Sequence, residues 1–178
     1  MERMGLMYLI GALKKRGKAV DILVTGAMTR DKLIAAVKEA APDLIAVSAM
    51  TGEHNYYLSL FAHLKKHLAF FSLMGGPHAT FSPEVVLNDC LDAVCVGEGE
   101  DALLDLVEAL ERGASPRSIP NLAFREGGAL HVNPPRPLVA DLDRIPFPAT
   151  DPIHSRDRLP KRDRIQTFVT ISRYPYPF

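Results

Sequence analysis

The sequence carries no excess charge of either sign. Lys plus Arg and Asp plus Glu each number 21 among 178 residues, so the broad basic footprint of a nucleic-acid binder is excluded. No apolar run approaches the roughly 20 residues that cross a bilayer. Met1 to Met7 lack the apolar core and small-residue cleavage site of a signal peptide. Only two cysteines occur, Cys90 and Cys95, too few for a disulfide framework and without histidines at ligand spacing for a metal. Both lie in or beside apolar stretches and read as buried, reduced thiols, so the expected location is the cytoplasm. No Ser-His-Asp or Cys-His arrangement is suggested, and no G-x-x-x-x-G-K phosphate loop occurs. The expectation is a soluble protein with neither nucleic acid nor membrane as partner.

What is present is a pair of glycine turns. Leu73-Met74-Gly75-Gly76-Pro77-His78-Ala79-Thr80 and Val94-Cys95-Val96-Gly97-Glu98-Gly99-Glu100-Asp101 are short apolar runs that break into glycine and lead into helix-like stretches. In open α/β sheets, ligands sit where the carboxyl ends of strands meet such turns. The two turns therefore point to a module that brings its backbone close to a bound molecule.

The rest of the chain sets those turns in a repeating frame. Gly5 to Arg16 reads as a helix, with Leu6, Leu9, Ile10 and Leu13 as its apolar stripe and Gly17 as its stop. Strands are expected at Ala19 to Val24, Leu44 to Ala49, Phe70 to Met74 and Ala93 to Val96. Helices are expected from a Thr29 cap through Ala41, at Tyr56 to His67, as a short helix at Pro83 to Asn88, and at Asp101 to Arg112. This alternation predicts a flavodoxin-like, doubly wound parallel sheet.

The order nevertheless starts with a helix, so a first strand, normally central, is missing. Either the chain is shortened at its N-terminus, which is the expected reason, or the sheet is completed some other way. An open edge left there would favour a homodimer. Asn121 to Arg125 and Ala129 to Val132, joined by Glu126-Gly127-Gly128, read as a β-hairpin. Residues 141–164 read as a proline-rich, exposed linker, and Gln166 to Ile171 as a strand that starts something new. The expected division is 1–118 as the α/β domain, 119–140 as the hairpin extension, and 141–178 as linker and the start of a further domain.

Taken in order, these pieces resemble the cobalamin-binding domain of cobalamin-dependent radical S-adenosylmethionine enzymes. Gly5 to Leu9 with Ala12, Leu13 and Gly17 is similar to that family's first helix. Pro42 to Thr51 is similar to its third strand and loop. Gly75 to Thr80 and Gly97 to Glu100 are similar to its glycine turns. Leu142 to Pro148 is similar to the linker before its radical domain, and Phe168 to Arg173 to the strand entering that domain. The family's C-x-x-x-C-x-x-C motif, whose thiolates hold a four-iron cluster, has no counterpart in Ser172 to Phe178. The resemblance thus implies a cobalamin holder, with the iron–sulfur cluster and S-adenosylmethionine confined to the complete enzyme and supplied by a radical domain in cis. It implies methyl transfer for that enzyme and no turnover for this segment alone.

The residues expected to hold the cofactor are Ser48, Met50, Thr51, Gly75, Gly76, Pro77, His78, Gly97, Glu98 and Gly99. The glycines would make room for the nucleotide tail, Ser48 and Thr51 would bond its polar edges, and Met50 would pack on a flat ring. The alternative is that the glycines only make tight turns. The lower-ligand motif Asp-x-His-x-x-Gly is absent, and the resemblance implies no protein histidine on cobalt. His63 and His67, four apart, read as a solvated helix end, and Glu98 and Glu100 as helix-start charges. Two rival functions stand beside the cobalamin reading. One is a cofactor-free interaction module or degenerate scaffold of the same fold, and the other is a flavin or nucleotide binder.

Overall fold

The computed structural model describes residues 4–24, 29–141, 143, 145–149 and 166–171. Five helices and seven strands follow in the order α1 (Met4–Lys15), β1 (Ala19–Val24), α2 (Arg30–Ala40), β2 (Leu44–Ser48), α3 (His54–Leu64), β3 (Phe71–Gly75), α4 (Pro77–Phe81), β4 (Ala93–Cys95), α5 (Glu100–Glu111), β5 (Leu122–Glu126), β6 (Ala129–Val132) and β7 (Gln166–Ile171). A 3-10 turn spans Pro83–Leu87. α3 begins two residues earlier than the apolar pattern suggests and stops at Leu64. α4 lies inside the glycine motif, where five residues are too few to show a periodicity.

One sheet holds all seven strands, in the order β1-β7-β2-β3-β4-β5-β6. β1, β7, β2, β3 and β4 are parallel, and the β5–β6 hairpin is added antiparallel on β4. Helices pack on both faces, which is why β2 reads as an unbroken apolar run. On one side Leu33, Val37, Tyr57, Phe61 and Leu64 cover Ile45, Val47 and Met74. On the other, Leu13, Leu103, Leu106 and Val107 cover Leu44, Ala46 and Leu73.

Two expectations change here. The sequence pattern leaves the sheet without its first strand and assigns Gln166–Ile171 to a further domain. The structure places that segment between β1 and β2, paired to both, with Val20 opposite Thr167 and Ile45 opposite Phe168. An open slot would leave two rows of peptide groups unpaired, and a strand with both neighbours satisfies them. The edge invoked for a homodimer is therefore paired. Residues 150–165, which carry most of the expected linker, and Ser172 to Phe178 lie outside the described residues. The exit segment meets α1 where Ala149 N donates to Met7 O at 3.0 Å.

Candidate functional site

The parallel strands β2, β3 and β4 deliver three turns to one end of the sheet. Ala49 N donates to Gly75 O at 2.9 Å, and His78 N donates to Ala49 O at 3.0 Å. The β2 loop and the β3 turn are thereby laced together. Gly76 sits at φ 88°, ψ −175°, a conformation essentially restricted to glycine. A Cβ there would stand 2.6 Å from Ser48 Oγ and 2.9 Å from Ala49 N. The glycine is needed because the neighbouring strand end fills the space.

The β2 loop is closed by Glu53, a buried carboxylate that accepts from Met50 N at 3.0 Å, while Glu53 N donates to Met50 O at 3.0 Å. Beyond it, the His54 and His78 rings stack with centroids 3.7 Å apart. Gly52 N donates to His54 Nδ1 at 3.3 Å. Thr51 Oγ1 lies 3.3 Å from His78 Nδ1, in a hydrogen bond whose direction follows the tautomer. His78 is 8% exposed. Burial lowers its pKa from 6.5, the His54 ring adds to the effect, and Glu84 opposes it.

A lowered folded pKa means that the unfolded chain binds the proton more readily. The stabilising effect of neutral His78 is complete above about pH 6.5 and is lost as pH falls through the folded value. Urea midpoints measured from pH 7.5 to 5 should therefore fall more steeply for the wild-type chain than for His78→Gln. Parallel profiles would refute this assignment. Glu100, whose carboxyl is raised first by burial and then by Glu98, contributes with the opposite sign and cancels in the comparison.

The β4 turn is held from two sides. Gly97 N donates to Thr80 Oγ1 at 3.1 Å, and Thr80 Oγ1 donates to Gly76 O at 3.0 Å. Opposite, Val96 N donates to Asn121 O at 2.7 Å and Asn121 Nδ2 donates to Val96 O at 2.8 Å. Asn121 adopts φ 67°, which asparagine tolerates better than most residues. Glu98 is exposed, and Glu100 and Asp101 form the acidic first turn of α5. Such charges are favourable at a helix start. Gly99 faces Leu9 of α1, which a Cβ would approach to 3.2 Å. Cys95 is buried, and burial, reinforced by Glu100, pushes its thiol up to about 12.

The ten expected residues thus gather on three adjacent turns at one end of the sheet. Among them Met50, Thr51, Pro77, Gly97 and Glu98 are exposed. Phe81, whose place in the sequence carries no signal of a site, follows Thr80 and keeps 85% of its surface open, and Met50 keeps 48%. Thr80 ends the first glycine motif and Asn121 opens the hairpin, but their bonding roles do not show in the sequence, because they depend on contacts between segments distant in the chain. Asn121 alone left a local trace, as a turn-prone residue after Pro120. His63 and His67 form an edge-on ring pair at the far end of α3. Among the described residues no three His, Cys, Asp or Glu side chains gather as a metal site, and no helix is long and apolar enough to cross a membrane.

Comparison with known proteins places this geometry among relatives. Residues 1–107 match the B12 binding domain family. An uncharacterized methyltransferase of Pyrococcus horikoshii is 34% identical over 154 residues, covering 83% of this chain and 33% of that protein. An anaerobic magnesium-protoporphyrin IX monomethyl ester cyclase of Cereibacter sphaeroides is 31% identical over 150 residues, covering 78% of this chain and 24% of that protein. The chain thus spans a third or less of the length of these relatives. In the solved structure of the cobalamin-dependent S-adenosylmethionine radical enzyme OxsB, with aqua-cobalamin and S-adenosylmethionine bound, the matching region has a TM-score of 0.74 at 21% identity. That match covers 85% of this chain and 22% of that one, and the shared feature is the fold.

Proposed function

The chain belongs to the B12-binding domain family, and from that premise we propose that it seats a cobalamin on the face formed by its β2, β3 and β4 turns. The observation that carries this reading is the composition of that face. Met50, on the loop after β2, is 48% exposed and Phe81, at the end of α4 after the β3 turn, 85% exposed, while the polar Thr51 and the acidic Glu98 are exposed on the β2 and β4 turns. A flat macrocycle with an apolar ring and polar rim fits such a mixed shelf, and covering exposed apolar surface is favourable at about 25 cal/mol per Å². In this reading Met50 and Phe81 pack on the ring, Thr51 bonds its rim, and Ser48, Gly75, Gly76, Pro77, His78, Gly97, Glu98 and Gly99 shape the seat. When bound, cobalamin supplies a cobalt centre suited to one-carbon transfer. The chain supplies position and exclusion of water.

At three positions of these turns no backbone N–H is free for a phosphate of any ligand: Gly97 N is taken by Thr80 and His78 N by Ala49, while Pro77 has none. One observation favours the rival reading of a cofactor-free module. The spaces beside Gly76 and Gly99 are already filled by Ser48, Ala49 and Leu9. In the longer proteins that this segment resembles, we assign the iron–sulfur cluster and S-adenosylmethionine to other domains, joined in cis, and methyl transfer to the assembled enzyme. We expect no turnover from this chain alone, no protein histidine on cobalt, no nucleic-acid partner, and a cytoplasmic location.

Titration with hydroxocobalamin, desalting and a visible spectrum tests the reading. A retained, stoichiometric corrinoid is expected. Phe81→Asp should weaken retention about tenfold, the loss of roughly 1.4 kcal/mol of apolar contact, and leave the thermal midpoint unchanged because Phe81 is outside the core. A folded wild-type chain that retains no corrinoid would leave the cofactor-free module as the surviving interpretation.

A further inference from the structure

We propose that Thr80 is a positioning residue whose hydroxyl locks the β3 and β4 glycine turns into a single binding face, and thereby sets how firmly a corrinoid is held. The inference rests on the cobalamin reading and adds to it a residue that makes no claim to touch the ligand. The β3–β4 ladder pairs Leu73 with Ala93 and Met74 with Val94. Gly97 lies three residues beyond the last pair. Its turn therefore depends on Asn121, behind it, and on Thr80, which ties it to β3.

One hydroxyl serves both turns. It donates to Gly76 O at 3.0 Å and accepts from Gly97 N at 3.1 Å. The short helix α4 thus works as a bridge. His78, at its second position, reaches back to Thr51 on the β2 loop and to His54 at the start of α3. Thr80, two residues on, reaches forward to the β4 turn. Any ligand lying across the three turns requires them in fixed relative positions, and a seat assembled before binding avoids the cost of ordering it afterwards.

The chemistry separates hydroxyl from bulk. Thr80→Val keeps the shape and removes both bonds, whereas Thr80→Ser keeps the hydroxyl and removes a methyl. Loss of a hydrogen bond of about 1 kcal/mol that orders the seat corresponds to roughly five- to tenfold weaker binding. With hydroxocobalamin as the probe, Thr80→Val should bind five- to tenfold more weakly and Thr80→Ser within about twofold of wild type. In the ligand-free chain, amide exchange at Gly97 should be faster in Thr80→Val and near wild type in Thr80→Ser. Thr80→Ala replaces the valine variant should the latter not fold.

Equal affinity of Thr80→Val and wild type would overturn the proposal, as would a serine variant as weak as the valine one. A wild-type chain that retains no corrinoid overturns the cobalamin reading, and with it the ligand half of this proposal. Faster Gly97 exchange in Thr80→Val would in that case still uphold the clasp, so the two failures are distinguishable.

Discussion

Gly76→Ala is expected to destabilise the fold by about 3 kcal/mol or more, through two costs that add. The backbone at φ 88°, ψ −175° lies where a side chain costs on the order of 1–3 kcal/mol. The new Cβ would also stand 2.6 Å from Ser48 Oγ, 2.9 Å from Ala49 N and 3.0 Å from Ala49 O. Ser48 Oγ can rotate away, but the two Ala49 atoms are backbone. They cannot yield without breaking the bonds from Ala49 N to Gly75 O and from His78 N to Ala49 O, and overpacking of this kind typically costs about 1–3 kcal/mol. For a chain of this size the combined effect is a fall of roughly 6–12 °C in thermal midpoint. Gly52→Ala is the control. Its φ of 98° is also strained, but nothing lies within 4 Å of the added atom, so about 1 kcal/mol is expected. Equal midpoint shifts for the two variants in urea unfolding would show that the contact with Ala49 has no energetic weight.

A chain ending at Arg164 is expected to lose cooperative folding altogether. β7 lies in the interior of the sheet, between β1 and β2, and is parallel to both. Its removal would leave six residues of β1 and four of β2 facing an empty slot with their ladder partners gone. Buried peptide groups without partners cost about 1–3 kcal/mol each, and total stability is only about 5–15 kcal/mol. Far-ultraviolet circular dichroism through a urea series should show no sigmoidal transition for the shortened chain. A peptide of residues 165–172 added in excess should restore one, because the slot is complementary to that strand. An unchanged midpoint on truncation would mean that β7 contributes nothing to the sheet, and that β1 and β2 pair in some other manner.

The elements that read cleanly from the sequence share one property: their signal is local. Thr29 accepts from Lys32 N as the cap of α2, as its place before an apolar stripe suggests. The unbroken run Leu44 to Val47 becomes a strand buried on both faces. The hairpin follows from Gly127 and Gly128, both at positive φ. Even the gathering of the ten site residues could be anticipated, because glycine turns after consecutive parallel strands must emerge at the same end of a sheet.

Other features had no local signal to read. Gln166–Ile171 has the composition of a strand, but nothing in six residues states which neighbours it will join. Its place beside β1 and β2 is decided by edges formed more than a hundred residues earlier. Thr80 and Asn121 look like ordinary turn residues until Gly97 N and the Val96 backbone are brought to them by a separate strand. The sequence by itself determined the alternation of strands and helices, the apolar faces and the glycine turns, because propensity and hydrophobic period act over a few residues. Only the tertiary structure decided which strand fills the slot between β1 and β2, which side chains tie the turns together, and that Met50 and Phe81 remain on the surface. Those outcomes depend on pairing and close packing between segments far apart in the chain.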